Sequence, residues 1–173
     1  DLKLHDIPNT VGMGVEVLSD LGIWALTIHT SGGIPMMARA REAARKNGET
    51  LILGVTVLTS LAGEDWDRVH PELSLERALQ ARAEAAQEAG IDGVVCSPLD
   101  LQLVRSACNL LTVVPGIRPA SMGDDQARVA TPATAIASGA DFLVVGRPIL
   151  KAPDRHQAVR EIKRSMMEGF QCR

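Results

Sequence analysis

Two carboxylates and an ammonium crowd the first six residues, Asp1-Leu2-Lys3-Leu4-His5-Asp6. Asp1 and Lys3 stand two apart, so on a strand they share a face. Asp6 follows where the chain has left such a strand. Buried apart, these charges would be costly; buried together, they must pair. At the C-terminal end of a barrel strand that shared face would point into the mouth, where barrel active sites sit. The competing reading is a solvated turn laced with salt bridges. Other reactive side chains are less organised. Ser60 ends an apolar run, where a serine is commonly a helix N-cap. The histidines His5, His29, His70 and His156 lack metal-ligand spacing; His29 ends a strand, where it would either line the mouth or, the favoured reading, make a structural hydrogen bond. Cys96, Cys108 and Cys172 are odd in number and form no CxxC, against a disulfide framework or a zinc cluster. Asp65 and Asp67 flank Trp66 in what reads as a polar connection without a role.

The elements that must position these groups alternate along the chain. Five uncharged apolar runs, Ile23–Ile28, Leu51–Leu58, Gly93–Cys96, Leu110–Ile117 and Phe142–Gly146, have the continuous apolarity of parallel strands buried on both faces. Amphipathic stretches over Ile34–Asn47, Ser74–Ala89, Thr131–Ser138 and Asp154–Met167 predict helices, with Pro132 and Pro153 near first turns. Gly22, Gly48, Gly90 and Gly139 each follow a helical stretch and precede an apolar run. The phrases Gly90-Ile91-Asp92 and Gly139-Ala140-Asp141 repeat in form. This is the grammar of βα units. With Asp1–Lys3 as a strand's tail the count is six. Six strands suit a doubly wound sheet; scaled to eight units the length becomes roughly 230 residues, near that of a (β/α)8 barrel.

Composition narrows the function classes. Lys and Arg number 18 against 21 Asp and Glu, a net charge of −3 that argues against nucleic-acid binding through a basic face. Two Trp, two Phe and no Tyr leave no stacking platform for single strands. No apolar run approaches the ~20 residues of a membrane span. With no signal-peptide pattern and no disulfide framework, a cytoplasmic location is expected. No linker divides residues 1–173, which read as one domain.

The motif and its extension, DLKLHDIPNT, closely resemble the signature of the orotidine 5′-monophosphate decarboxylase family, D-x-K-x-x-D-[IV]-[GP]-x-T, at every specified position. LTIHT (26–30), LGVTVLTS (53–60), GVVCSP (93–98), VVPGIRP (113–119) with Asp124-Asp125-Gln126, and LVVGRPI (143–149) resemble the family's fourth to eighth strands in order, most like the bacterial branch. The resemblance implies a TIM barrel of which this chain supplies about the last six βα units. Two units that precede the motif in the family, carrying an aspartate and a second lysine, have no counterpart in these residues.

The resemblance also implies a reaction: cofactor-free and metal-free decarboxylation of orotidine 5′-phosphate to uridine 5′-phosphate in pyrimidine biosynthesis. Lys3 would stabilise and protonate the C6 carbanion, and the acids Asp1 and Asp6 would favour its charged form. Asp6, Ile7 and Thr10 would reach a partner's site, making a homodimer. Ser60 would meet the pyrimidine amide edge, and Gly146 and Arg147 the phosphate. Pro115 would launch a loop whose Gln126 spans phosphate and base. The short DxKxxD core also occurs in phosphosugar decarboxylases of the same superfamily, the second enzymatic reading. A non-catalytic barrel fragment is the third.

Overall fold

The computed structural model describes residues 1–46, 48–119 and 130–172. Apolar runs and amphipathic stretches alternate in it as the sequence predicts. The order is α1 (Pro8–Ser19), β1 (Ala25–His29), a 3-10 turn (Thr30–Gly32), α2 (Gly33–Lys46), β2 (Leu51–Val55), α3 (Glu64–Val69), α4 (Leu75–Glu88), β3 (Gly93–Val95), α5 (Leu101–Ala107), β4 (Leu111–Val114), α6 (Pro132–Ala137), β5 (Phe142–Leu143), α7 (Arg147–Leu150) and α8 (Arg155–Gln171). All five strands are parallel and lie side by side in chain order. That order, with helices between neighbours, is the arc of a TIM barrel rather than a doubly wound sheet, whose strand order reverses.

A sixth strand at Asp1–Lys3 does not form. The segment makes one bridge, Leu4 beside Ile28. Leu4 donates to Thr27 O at 3.0 Å and His29 donates to Leu4 O at 2.9 Å. With a neighbour on one side only, the ladder stops there. The last strand is shortened for the same reason, although Val144 still donates to Val114 O at 2.9 Å. Four helices lie where the pattern predicts, to within a few residues. Ser74, Thr131 and Asp154 cap α4, α6 and α8, each accepting from the backbone N–H three residues on. Pro132 opens α6, whereas Pro153 falls just before the Asp154 cap.

The core lies between the sheet's outer face and the helices. Leu26, Ile28, Ile52, Val94, Cys96 and Val114 project outward into Val11, Val15, Met36, Met37, Ala86, Leu101, Val104 and Ile136. Burial pushes the Cys96 thiol up to about 12, so it packs as a small apolar group. Trp66 corrects the reading of its segment as a polar connection. Its ring is 2 % exposed, in a second cluster with Val57, Ala78 and Leu79.

The repeated Gly-x-Asp phrase acquires a physical meaning. Gly90 and Gly139 end helices at φ +69° and +105°, values that favour glycine. Asp92 then accepts from Ile52 N at 2.8 Å and pairs with Arg41 of α2 at 2.8 Å. Asp141 likewise accepts from Thr112 N at 2.8 Å and pairs with Arg105 of α5. Each aspartate thus fastens the start of its own strand to the strand before it, and to the helix preceding that strand. Both brackets lie at the strands' N-terminal ends. The opposite rim is left for chemistry, as in barrel enzymes.

Candidate active site

Inward-facing positions follow from register. Ala25 and Thr27 of β1, Leu53 and Val55 of β2, Val95 of β3 and Val113 of β4 share the concave face, because alternate residues do. With Asp1, Lys3, Trp24, Thr59, Pro115 and Val144 they line a cleft of about 430 Å³. Among the described residues its walls are apolar, and the ionic groups that line it are Asp1 and Lys3. Few polar groups converging in an apolar cleft is the usual form of a small-molecule site.

Lys3 Nζ lies 2.8 Å from both oxygens of Asp1. Asp1 Oδ1 also accepts from Thr27 Oγ1 at 2.8 Å, and the same hydroxyl accepts from the Lys3 backbone N–H at 2.9 Å. Thr27 therefore ties Asp1 and Lys3 to one strand. Sequence reasoning missed it, because one threonine in an apolar strand becomes informative only when its register is known. Lys3 has φ +55°, the one positive value at a non-glycine among the described residues. For a residue with a Cβ this conformation costs about 1 kcal/mol or more. Strain of this kind concentrates at functional positions.

The other sequence-predicted residues divide. Pro115 lines the cleft, and Thr59, beside Ser60, does so as well. Ser60 is exposed at a turn rather than a helix N-cap. Gly146 and Arg147 follow Val144 at the same rim, where Arg147 begins the short helix α7. Asp6 does not pair with Lys3; its carboxylate accepts from Ile7 N at 2.7 Å. Ile7 and Thr10 stand at the exposed start of α1, outside the cleft lining. Gln126, Asp124 and Asp125 lie outside the described residues.

His29 contacts another ring rather than holding a simple structural hydrogen bond. Its imidazole lies 5.3 Å from that of His5, whose Nε2 is 3.5 Å from Ser31 Oγ. Burial, with His5, Lys3 and Arg82 nearby, lowers the His29 pKa, so neutral imidazole is favoured beside the Lys3 ammonium.

Comparisons with known proteins bear on the family and the fold. The profile described as "Orotidine 5'-phosphate decarboxylase / HUMPS family" matches residues 1–162. An orotidine 5'-phosphate decarboxylase of Pseudomonas fluorescens is 45% identical over 166 residues, 94% of this chain and 71% of that protein. One from Dichelobacter nodosus is 47% identical, over 94% of this chain and 72% of its own length. The crystal structure of orotidine 5'-phosphate decarboxylase from Lactobacillus acidophilus superposes with a TM-score of 0.82 at 36% identity, covering 96% of this chain and 73% of that one. The enzyme from Pyrococcus horikoshii, at 22% identity and a TM-score of 0.71, adds likeness of fold across 95% of this chain and 71% of its own. Motif, sheet order, cleft and relatives converge: the chain belongs to the orotidine 5'-phosphate decarboxylase / HUMPS family.

Proposed function

We propose that the protein decarboxylates orotidine 5′-phosphate to uridine 5′-phosphate, with Lys3 as the catalytic cation and acid. The observation that carries this reading is the Lys3–Asp1 pair, 2.8 Å apart, at the mouth of an apolar cleft. The bond from C6 of the pyrimidine to its carboxylate breaks, and carbon dioxide leaves. The electron pair stays on C6, faces the Lys3 ammonium, and takes a proton from Nζ. A preplaced cation in an apolar surround interacts with that charge more strongly than water would. Asp1 orients Lys3 and stands near the departing carboxylate.

The remaining roles follow from position. Ser60, on the turn beside Thr59, meets the pyrimidine amide edge. Gly146 and Arg147 hold the phosphate at the rim, where a guanidinium matches phosphate oxygens in pairs. Pro115 begins the segment leading to Gln126, which spans phosphate and base. Asp6, Ile7 and Thr10 serve a second subunit's cleft, so the active form is a homodimer; their exposed position beside α1 supports this. The three cysteines are free, which suits a cytoplasmic enzyme. Residues 1–173 belong to a single barrel domain, of which they supply about the last six βα units; the continuous strand order supports this.

The test is turnover of orotidine 5′-phosphate beside turnover of a keto-sugar phosphate. The proposal expects uridine 5′-phosphate and no reaction of the sugar phosphate. Decarboxylation of the sugar phosphate alone would move the protein to the other activity of the superfamily.

A further inference from the structure

Arg82 lies half-buried on α4, with no carboxylate partner among the described residues. Its Nη1 donates to Thr56 O at 2.8 Å, and its guanidinium carbon stands 5.5 Å from the centre of the Trp66 ring. Withdrawing a guanidinium from water toward one carbonyl and one ring face is costly. Burial accordingly lowers its pKa. What these two contacts hold gives that cost a purpose.

Thr56 is the first residue beyond β2, and Trp66 lies in α3. The intervening loop turns at Leu58–Leu61, closed by Leu61 N donating to Leu58 O at 2.9 Å, with Thr59 and Ser60 at its centre. Val57 before the turn is buried with Trp66, Ala78 and Leu79, and Leu61 after it packs on the same cluster. Trp66 is itself fixed by Nε1 donating to Leu73 O at 2.6 Å and by His70, its ring 4.1 Å away. Both feet of the turn are therefore anchored to one small core. Its tip carries Thr59 into the cleft lining.

We propose that Arg82, acting through Thr56 and Trp66, is a positioning residue that sets the Thr59–Ser60 turn against the substrate's pyrimidine. Arg82 itself touches no substrate. The inference rests on the reading that Ser60 meets the pyrimidine. It adds a residue, outside the motif and outside the cleft lining, that determines fit to the base.

The experiment compares wild type, Arg82→Met, Arg82→Lys and Ser60→Ala in the full-length protein, by amide hydrogen exchange and by steady-state kinetics on orotidine 5′-phosphate. Arg82→Met is expected to speed exchange at Leu58–Gly63 about tenfold, while α4 stays protected. It is expected to lower kcat/KM about tenfold, the scale of one lost charged hydrogen bond. Arg82→Lys, which keeps a donor for Thr56, recovers part of both. In the Ser60→Ala background Arg82→Met costs little further kcat/KM, because the two act on one interaction. Fully additive losses, or exchange that rises uniformly across the protein, would overturn the proposal. A wild type that does not decarboxylate orotidine 5′-phosphate would remove the proposed function. Unchanged exchange at Leu58–Gly63 in Arg82→Met would separately remove Arg82 as the positioning residue.

Discussion

Lys3 is held on three sides: by the Asp1 carboxylate, by Thr27 under its backbone, and by a backbone conformation unusual for a lysine. A cation placed this way gains its effect from position, so shortening it should be severe. Lys3→Ala is expected to reduce kcat by on the order of 10³-fold or more while the fold persists, read by turnover beside circular dichroism. Arg147→Ala should act on binding, raising KM roughly 10–100-fold for loss of a charge-assisted contact to phosphate. An unchanged KM would take Arg147 out of the phosphate site. His29 predicts a pH effect. Its pKa in the folded protein is lowered, so the unfolded chain binds more protons in acid. Stability from neutral His29 is present above its ordinary value near 6.5 and declines as pH falls below it. In His29→Asn, the loss of stability between pH 7 and 5 should shrink. The charged motif and its spacing were legible in the sequence because like and unlike charges so close together need a reason. Thr27 and Arg82 were not, since their meaning depends on partners distant in sequence that only the fold brings together.

The two aspartate brackets are the elements' own fastening. Gly90-Ile91-Asp92 and Gly139-Ala140-Asp141 could be read as punctuation, but their arginines could not. Arg105 stands 36 residues from Asp141, and only the fold brings them together. Burial alone would raise the Asp141 pKa. The Thr112 N–H and the Arg105 guanidinium together outweigh it, holding the carboxyl below its ordinary value. Stability from this group is therefore present above the ordinary aspartate value and is lost as pH falls through the lower folded one. Asp141→Asn should cost about 2 kcal/mol at neutral pH and flatten the acid limb of a denaturation profile. Gly93 is a second element-level constraint. A Cβ there would stand 2.8 Å from Leu53 Cδ2 and 2.9 Å from Leu111 O. Gly93→Ala should therefore destabilise by about 1–3 kcal/mol, measured by urea titration. Strand lengths were the least legible feature, because a run's apolarity says that it is buried and not where its ladder ends. Phe142–Gly146 reads as five strand residues; two form the strand.

Across the whole molecule the parallel arc is open, and its concave face shows what closure would hide. Trp24 is 58 % and Val144 50 % exposed, and Phe142, 5.1 Å from Trp24 in edge contact, is 39 % exposed. A closed barrel abolishes edges and fills its interior with such side chains. The chain spans 71–72% of the length of the Pseudomonas and Dichelobacter relatives. Residues 1–173 prepared alone should therefore bind a hydrophobic dye and aggregate; a monomer that melts cooperatively would contradict this. The order of apolar runs and glycines revealed βα units without choosing between barrel and doubly wound sheet; the motif's resemblance implied the barrel, and its inward-facing residues became legible only through register. Catalysis by Lys3 is tested by release of labelled carbon dioxide from orotidine 5′-phosphate carrying the label in its carboxylate, by full-length wild type and by Lys3→Ala. The wild type should release the label together with uridine 5′-phosphate, and the variant nearly none. Equal release by both, or none by the wild type, would contradict catalysis by Lys3.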